Sequence, residues 1–182
     1  MAPEQADAGP RSAARAFVIR EDDLSGTDVR ALLRFHLAEA QRNSPPGAVF
    51  ALDLSGLRTP EVTVWTAREE GRLAGIGALK LLGSGEAEVK SMRTHPDFLR
   101  RGVGSALLEW VIAAAAERGV RRLSLETGSG PGFAAAVALY ARQGFRDGNA
   151  FGDYRPNGFS RFMHLDIASP GAADPSRPPS RA

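Results

Sequence analysis

The sequence predicts a mixed α/β fold, in which an antiparallel meander runs into one parallel crossover. Three observations carry that reading. Glu86 to Thr127 reads as strand, glycine-bearing turn, helix and second strand, and a helix joining two strands is a crossover unit whose strands lie parallel with a right-handed connection. Just before it, EVTVWTAR and RLAGIGALKLL read as two strands joined by Glu69-Glu70-Gly71, a hairpin turn. The chain has 182 residues, of which 43% are hydrophobic. That suffices for one good core, so a single domain is expected.

In chain order, residues 1–15 are rich in alanine, proline and charge and are expected to form a disordered tail. The folded domain is placed at 16–167, and a second disordered tail at 168–182, where proline, serine and glycine recur. Phe17 to Arg20 reads as a first strand. Ser25 to Asn43 follows as an amphipathic helix with Ser25 and Thr27 as candidate caps and an apolar stripe of Val29, Leu32, Leu33, His36, Leu37 and Ala40. His36 lies on that stripe and is expected to be a satisfied, partly buried histidine rather than a catalytic one. Ser44 to Pro60 opens with two prolines and a glycine around the apolar centre Val49-Phe50-Ala51-Leu52. It is a long connection that must pack on something, and loops of this kind are often lids.

The hairpin strands come next, at Glu61–Arg68 and Arg72–Leu82, and Gly83-Ser84-Gly85 turns the chain into a strand through Val89 and Met92. His95-Pro96-Asp97 ends that strand, because proline cannot donate to a ladder and constrains its neighbour. From Arg101 to Arg118, Val103, Ala106, Leu107, Trp110, Val111 and Ala114 recur at helical spacing, Glu109, Glu117 and Arg118 take the other face, and Gly119 supplies the stop. Leu123-Ser124-Leu125 alternates like the second strand of the crossover, and Phe159 to Ile167 gives the final strand.

The chemistry sits in Arg100-Arg101-Gly102-Val103-Gly104-Ser105-Ala106. Glycines let a backbone approach a ligand closely, and free N–H groups at a helix N-terminus form an anion site. Two arginines add positive charge, so a phosphate-bearing cofactor is implied. A P-loop fails, because it needs Gly-Lys-Ser/Thr and the chain has Gly104-Ser105-Ala106. A dinucleotide fingerprint needs a third glycine where Leu107 stands and a second mononucleotide half for which there is little room, although Glu126 lies near the distance of a ribose-binding acid. The pyrophosphate of coenzyme A is the third option.

At these residues the sequence resembles the GNAT superfamily of acyl-CoA-dependent N-acetyltransferases. Its signature, Gln/Arg-x-x-Gly-x-Gly/Ala, is met by Arg101-Gly102-Val103-Gly104-Ser105-Ala106, and Leu139-Tyr140-Ala141-Arg142-Gln143-Gly144-Phe145 is similar to the family's Leu-Tyr-x-x-x-Gly-Phe element. The likeness runs from about Phe17 to Ile167. It implies a central mixed, mostly antiparallel sheet whose parallel pair is splayed at the cofactor site, with helices on both faces. It also implies acetyl-CoA as co-substrate, with no metal. Pantetheine would pair with main chain at Met92 and Thr94, the pyrophosphate would sit on the amides from Arg100 to Ala106, and a main-chain N–H near Met92 or Arg93 would stabilise the oxyanion. Tyr140 takes the place of the acid that protonates the thiolate. Glu88 is the implied base, with Glu126 the alternative. Phe50, Asp153 and Tyr154 are candidates for the acceptor pocket. One departure stands out: Thr127-Gly128-Ser129-Gly130 occupies the place where the family often carries an asparagine near pantetheine.

Transfer of an acetyl group from a thioester to an amine needs a deprotonated amine, a polarised carbonyl and a protonated leaving thiolate. The expected function is therefore direct acetyl transfer to a primary amine in a ternary complex, most simply a small molecule. A non-catalytic acyl-CoA sensor shares the loop and is the competing reading, and a nicotinamide-binding oxidoreductase fragment is a third. Composition narrows the classes further. A formal net charge of +2 is not the basic footprint of a nucleic-acid binder, and the chain has no cysteine for disulfides, thiolate ligands or a nucleophile. No apolar run is long enough to span a bilayer and the N-terminus lacks the apolar core of a signal peptide, so a cytoplasmic protein is expected. Dimerisation is common in the superfamily, which leaves a homodimer open.

Overall fold

A computed structural model describes residues 17–167. The two tails expected at 1–15 and 168–182 lie outside the described residues. The elements are β1 (Val18–Glu21), α1 (Thr27–Asn43), β2 (Val62–Glu69), β3 (Arg72–Gly83), β4 (Glu86–Thr94), α2 (Val103–Glu117), β5 (Arg122–Gly128), α3 (Ala134–Arg142), β6 (Arg146–Asp147) and β7 (Ser160–Asp166). They form one seven-stranded sheet in the order β1-β2-β3-β4-β5-β7-β6. All neighbours are antiparallel except β4 and β5.

The parallel pair is short, and this sets up the site. β4 and β5 are in register only at Glu86↔Arg122, Ala87↔Leu123 and Glu88↔Ser124. Beyond Glu88, β4 stays bonded to β3 as far as Thr94, while β5 stays bonded to β7 as far as Gly128. Each strand is thus held on its outer side while the inner side opens into a wedge. β4 also carries an irregularity there: its register against β3 shifts between Ile76 and Ala78, and Ser91 adopts φ 52°. An extra residue in one strand bends it and re-aims its backbone groups.

Helices cover both faces. α2 and α3 pack on one, in a core that includes Leu79, Val89, Leu107, Val111 and Tyr140. α1 packs on the other with Val29, Leu32, Ile76 and Ala78. Gly75 lets α2 come close, since a Cβ there would stand 2.7 Å from Val103 Cγ1 and 2.9 Å from the Arg93 carbonyl.

Several sequence expectations need correction. Trp110 is 45% exposed rather than part of the α2 core face. The buried stripe runs through Val103, Leu107, Leu108, Val111 and Ala115, and Trp110 lies roughly 100° round the helix from Val111 at its centre. Neither Ser25 nor Thr27 caps α1; Gly26 holds that place without a side-chain cap, and the Ser25 N–H is taken by the Asp23 carboxylate. The strand β6, two residues long on the sheet edge, had no sequence signal, because its hold on the sheet includes an ion pair between Asp147 and Arg161 of β7. The Ser44–Pro60 connection packs as expected, anchored by the buried Leu57 in the α1 core.

Candidate active site

The wedge encloses a cavity of about 200 Å³, walled by β4 from Val89 to Arg93, by Glu126 to Gly128 of β5, by Tyr140 of α3, by α1, and by the connection around Phe50. At one end lies the loop that starts α2. Arg100 (φ 58°) and Gly102 (φ 86°) both take left-handed backbone, and Gly102 caps α2 with no side chain bonded to its first turn. The amides of that turn are therefore left for an anion. At Gly104 a Cβ would sit 3.1 Å from Leu139 and 3.7 Å from the Thr94 hydroxyl, so the turn is pressed against the end of β4 and the start of the wedge. These residues fit a pyrophosphate held by main chain. Arg101 contributes less charge than its position suggests. Its guanidinium donates to both carboxylate oxygens of Glu69, at 2.7 and 2.5 Å, and lies 4.7 Å over the Phe98 ring. Arg100 is exposed.

Tyr140 comes from α3 into the cavity wall with its ring buried and tilted against Phe145 at 5.9 Å. Burial pushes its phenol up to about 12; nearby Arg93 opposes that shift and Glu126 adds to it. The phenol therefore carries its proton across the neutral range.

Glu88 and Tyr154, predicted from different parts of the chain, are brought into direct contact. The Tyr154 hydroxyl donates to Glu88 Oε1 at 2.5 Å. Between them sits Lys90, which sequence reasoning did not select. Its Nζ donates to Glu88 Oε1 at 3.0 Å, to the Tyr154 oxygen at 2.7 Å and to the Phe50 carbonyl at 3.0 Å. Glu88 and Lys90 are both nearly inaccessible, at 3% and 8% exposure, and burial together with Glu88 pushes the Tyr154 phenol above its ordinary range. Phe50 packs edge-on to Tyr154 at 5.0 Å, and Phe151 tilts against it at the same distance. The ammonium thus ties both the Ser44–Pro60 connection and the segment before β7 to the floor of the sheet. A usable signal existed in the sequence: two charges two residues apart on a strand otherwise buried must share a face.

Glu88 is not part of the cavity wall, whereas Glu126 is. Burial raises the Glu126 carboxyl above the usual carboxylate range; Ser160 and Lys90 oppose this, and Glu88 adds to it. His36 is satisfied and partly buried as expected, with its Nδ1 accepting from Arg93 Nε at 3.2 Å. Burial, with Arg93 and Lys90 nearby, lowers it to about 4 and keeps it neutral. Met92 and Arg93 line the cavity, whereas Thr94, beside Gly104, and the acceptor candidates Asp153 and Tyr154 do not, and Asp153 is exposed. Among the described residues no helix is long and apolar enough to cross a membrane, and no three His, Asp or Glu side chains are grouped to hold a metal ion.

A splayed parallel pair, a helix N-terminus with free amides at its mouth and a buried phenol in its wall define a coenzyme A-dependent acyltransferase. Residues 29–145 match the model of the acetyltransferase (GNAT) family, and the chain belongs to that family as an acetyl-CoA-dependent N-acetyltransferase. It is 47% identical over 151 residues to the uncharacterized N-acetyltransferase YedL of Escherichia coli, covering 83% of this chain and 95% of that one. It is 46% identical over 145 residues to the uncharacterized N-acetyltransferase YsnE of Bacillus subtilis, covering 80% and 96%. The crystal structure of the "putative acyl-CoA N-acyltransferase" from Klebsiella pneumoniae superposes with a TM-score of 0.71 at 30% identity, over 84% of this chain and 98% of that one.

Proposed function

We propose that the protein moves the acetyl group of acetyl-CoA directly onto a primary amine held in the wedge, with Tyr140 as acid and Glu126 as base. Acetyl-CoA, when bound, supplies the activated thioester. The amides from Arg100 to Ala106 hold its pyrophosphate, the β4 main chain at Met92 and Thr94 holds its pantetheine, and the bent backbone at Ser91–Arg93 aims an N–H at the developing oxyanion. Glu126 takes one proton from the incoming ammonium and passes it to solvent. Tyr140 gives its proton to the leaving sulfur and is restored by the second proton of the nitrogen, so an ammonium and a thioester become an amide, a thiol and one released proton. Glu88 serves through Lys90 and Tyr154 as a positioning residue, because both hold its Oε1 and it does not line the cavity.

The observation that carries this reading is the buried phenol of Tyr140 facing the cavity between the splayed strands. Calorimetric titration with acetyl-CoA and an assay of thiol release test it together. Tyr140→Phe is expected to keep acetyl-CoA binding and to lose about 100-fold or more in kcat, the usual share of a positioned acid. A variant with unchanged kcat removes Tyr140 from the chemistry. Wild-type protein that binds acetyl-CoA but releases thiol with no amine favours the sensor reading instead.

A further inference from the structure

Four ionised side chains stand in the wall of the cavity: Glu39, Lys90, Arg93 and Glu126. Two are spent internally. The three N–H donors of Lys90 go to Glu88, Tyr154 and Phe50, and Glu39 pairs with Arg42 on α1. The other two take part in no salt bridge among the described residues. Arg93 uses only its Nε, donated to His36, and a histidine kept neutral accepts that bond without cancelling the charge. The two terminal nitrogens of the guanidinium, a planar fork suited to a carboxylate, carry no carboxylate partner. Register puts Arg93 opposite Ile76 of the α1 core, and Glu126 opposite Phe162 of β7. One cation and one anion without an ion-pair partner therefore line the same cavity, and none of the residues from Arg100 to Ala106 lines it.

We propose that the acceptor is a small amine bearing its own carboxylate, in the manner of a free amino acid, with the carboxylate on the Arg93 guanidinium and the amine toward Glu126. This rests on the acetyl-transfer reading above and adds the substrate class. Burial makes the arrangement selective: Glu39 acts on half-buried Arg93 through its charge without pairing with it, and the two terminal nitrogens gain a charged hydrogen-bond partner when the ligand brings a carboxylate. Phe50 and Phe133 line the same cavity and give it an apolar surface that a ligand's side chain would meet.

The test is thiol release from acetyl-CoA with each common L-amino acid and with its own amide, in wild-type protein, Arg93→Gln and Arg93→Lys. At least one amino acid should exceed its amide in kcat/KM by tenfold or more. That ratio should fall to near one in Arg93→Gln and survive in part in Arg93→Lys. Because the ratio is internal to each variant, it is independent of any general loss of activity. Should Arg93→Gln fail to fold, tighter binding of N-acetyl amino acids than of their amides to wild-type protein gives the same answer. Amides or simple diamines used as well as free acids, or an acid preference that persists in Arg93→Gln, overturn the inference and leave the acetyltransferase reading standing. Acetyl-CoA binding without thiol release on any amine overturns both.

Discussion

The end of the wedge proposed for the cofactor is built from main chain, and the end proposed for the acceptor from side chains that meet across long stretches of sequence. At the first, the active features are left-handed backbone at Arg100 and Gly102, the amides of one helical turn, and the lack of a Cβ at Gly104. They lie within seven residues, and the one strongly charged side chain among them that makes an ion pair, Arg101, turns away to Glu69. At the second, Lys90 reaches Phe50 40 residues away and Tyr154 64 residues away. Main chain offers any coenzyme A the same donors, whatever acyl group or acceptor is used. Side chains assembled from three segments can vary independently, which would suit the half of the site proposed to set specificity.

If that contrast holds, substitutions at the acceptor end should unsettle the fold while those at the cofactor end touch binding alone. The largest effect is expected from Lys90→Met, which leaves the Glu88 charge buried without its cation, with only the Tyr154 hydroxyl donating to it, and should cost about 3–5 kcal/mol in chemical denaturation. A loss under about 1 kcal/mol would show that Glu88 finds another partner and that the ammonium is not the tie between the two covering segments.

Next is His36, lowered from 6.5 to about 4. The unfolded chain binds a proton there at higher pH than the folded one, so the stability it protects is complete above 6.5 and is lost as the pH falls toward 4. The loss should amount to roughly 3 kcal/mol across that window. Denaturation midpoints measured along the same pH range in wild-type and His36→Gln should diverge; parallel curves would place the acid sensitivity elsewhere.

Glu126 sharpens the same division through catalysis. With its carboxyl raised, kcat/KM should fall as the pH drops through that raised value, and Glu126→Gln should remove most of the acid limb while lowering the plateau. An unaltered profile would return the base role to Glu88 or to water. The smallest effect is expected from Arg101→Ala. Its ion pair with Glu69 lies near the surface and contributes at most about 1 kcal/mol, and acetyl-CoA affinity measured by calorimetry should change by less than tenfold. A larger drop would mean that Arg101 leaves Glu69 for the pyrophosphate.

The chain's own order of residues already determined the crossover, the hairpin at Glu69-Glu70-Gly71, the glycine-bearing turn before α2 and the placing of Tyr140 on α3, because each depends on near neighbours: periodicity, glycine backbone freedom, and motifs of six or seven residues. Helix ends and faces were less legible, as Trp110 and the α1 cap show, since the difference between a buried and an exposed helical flank is set by what packs against it. What only the tertiary structure decided was how the ionisable groups are used. Glu88 and Glu126 are equivalent as letters on neighbouring strands, yet the fold sends one beneath the wall into Lys90 and Tyr154 and leaves the other in the cavity. Burial and pairing set what a charged group can do, and both are properties of surroundings that come from distant parts of the chain.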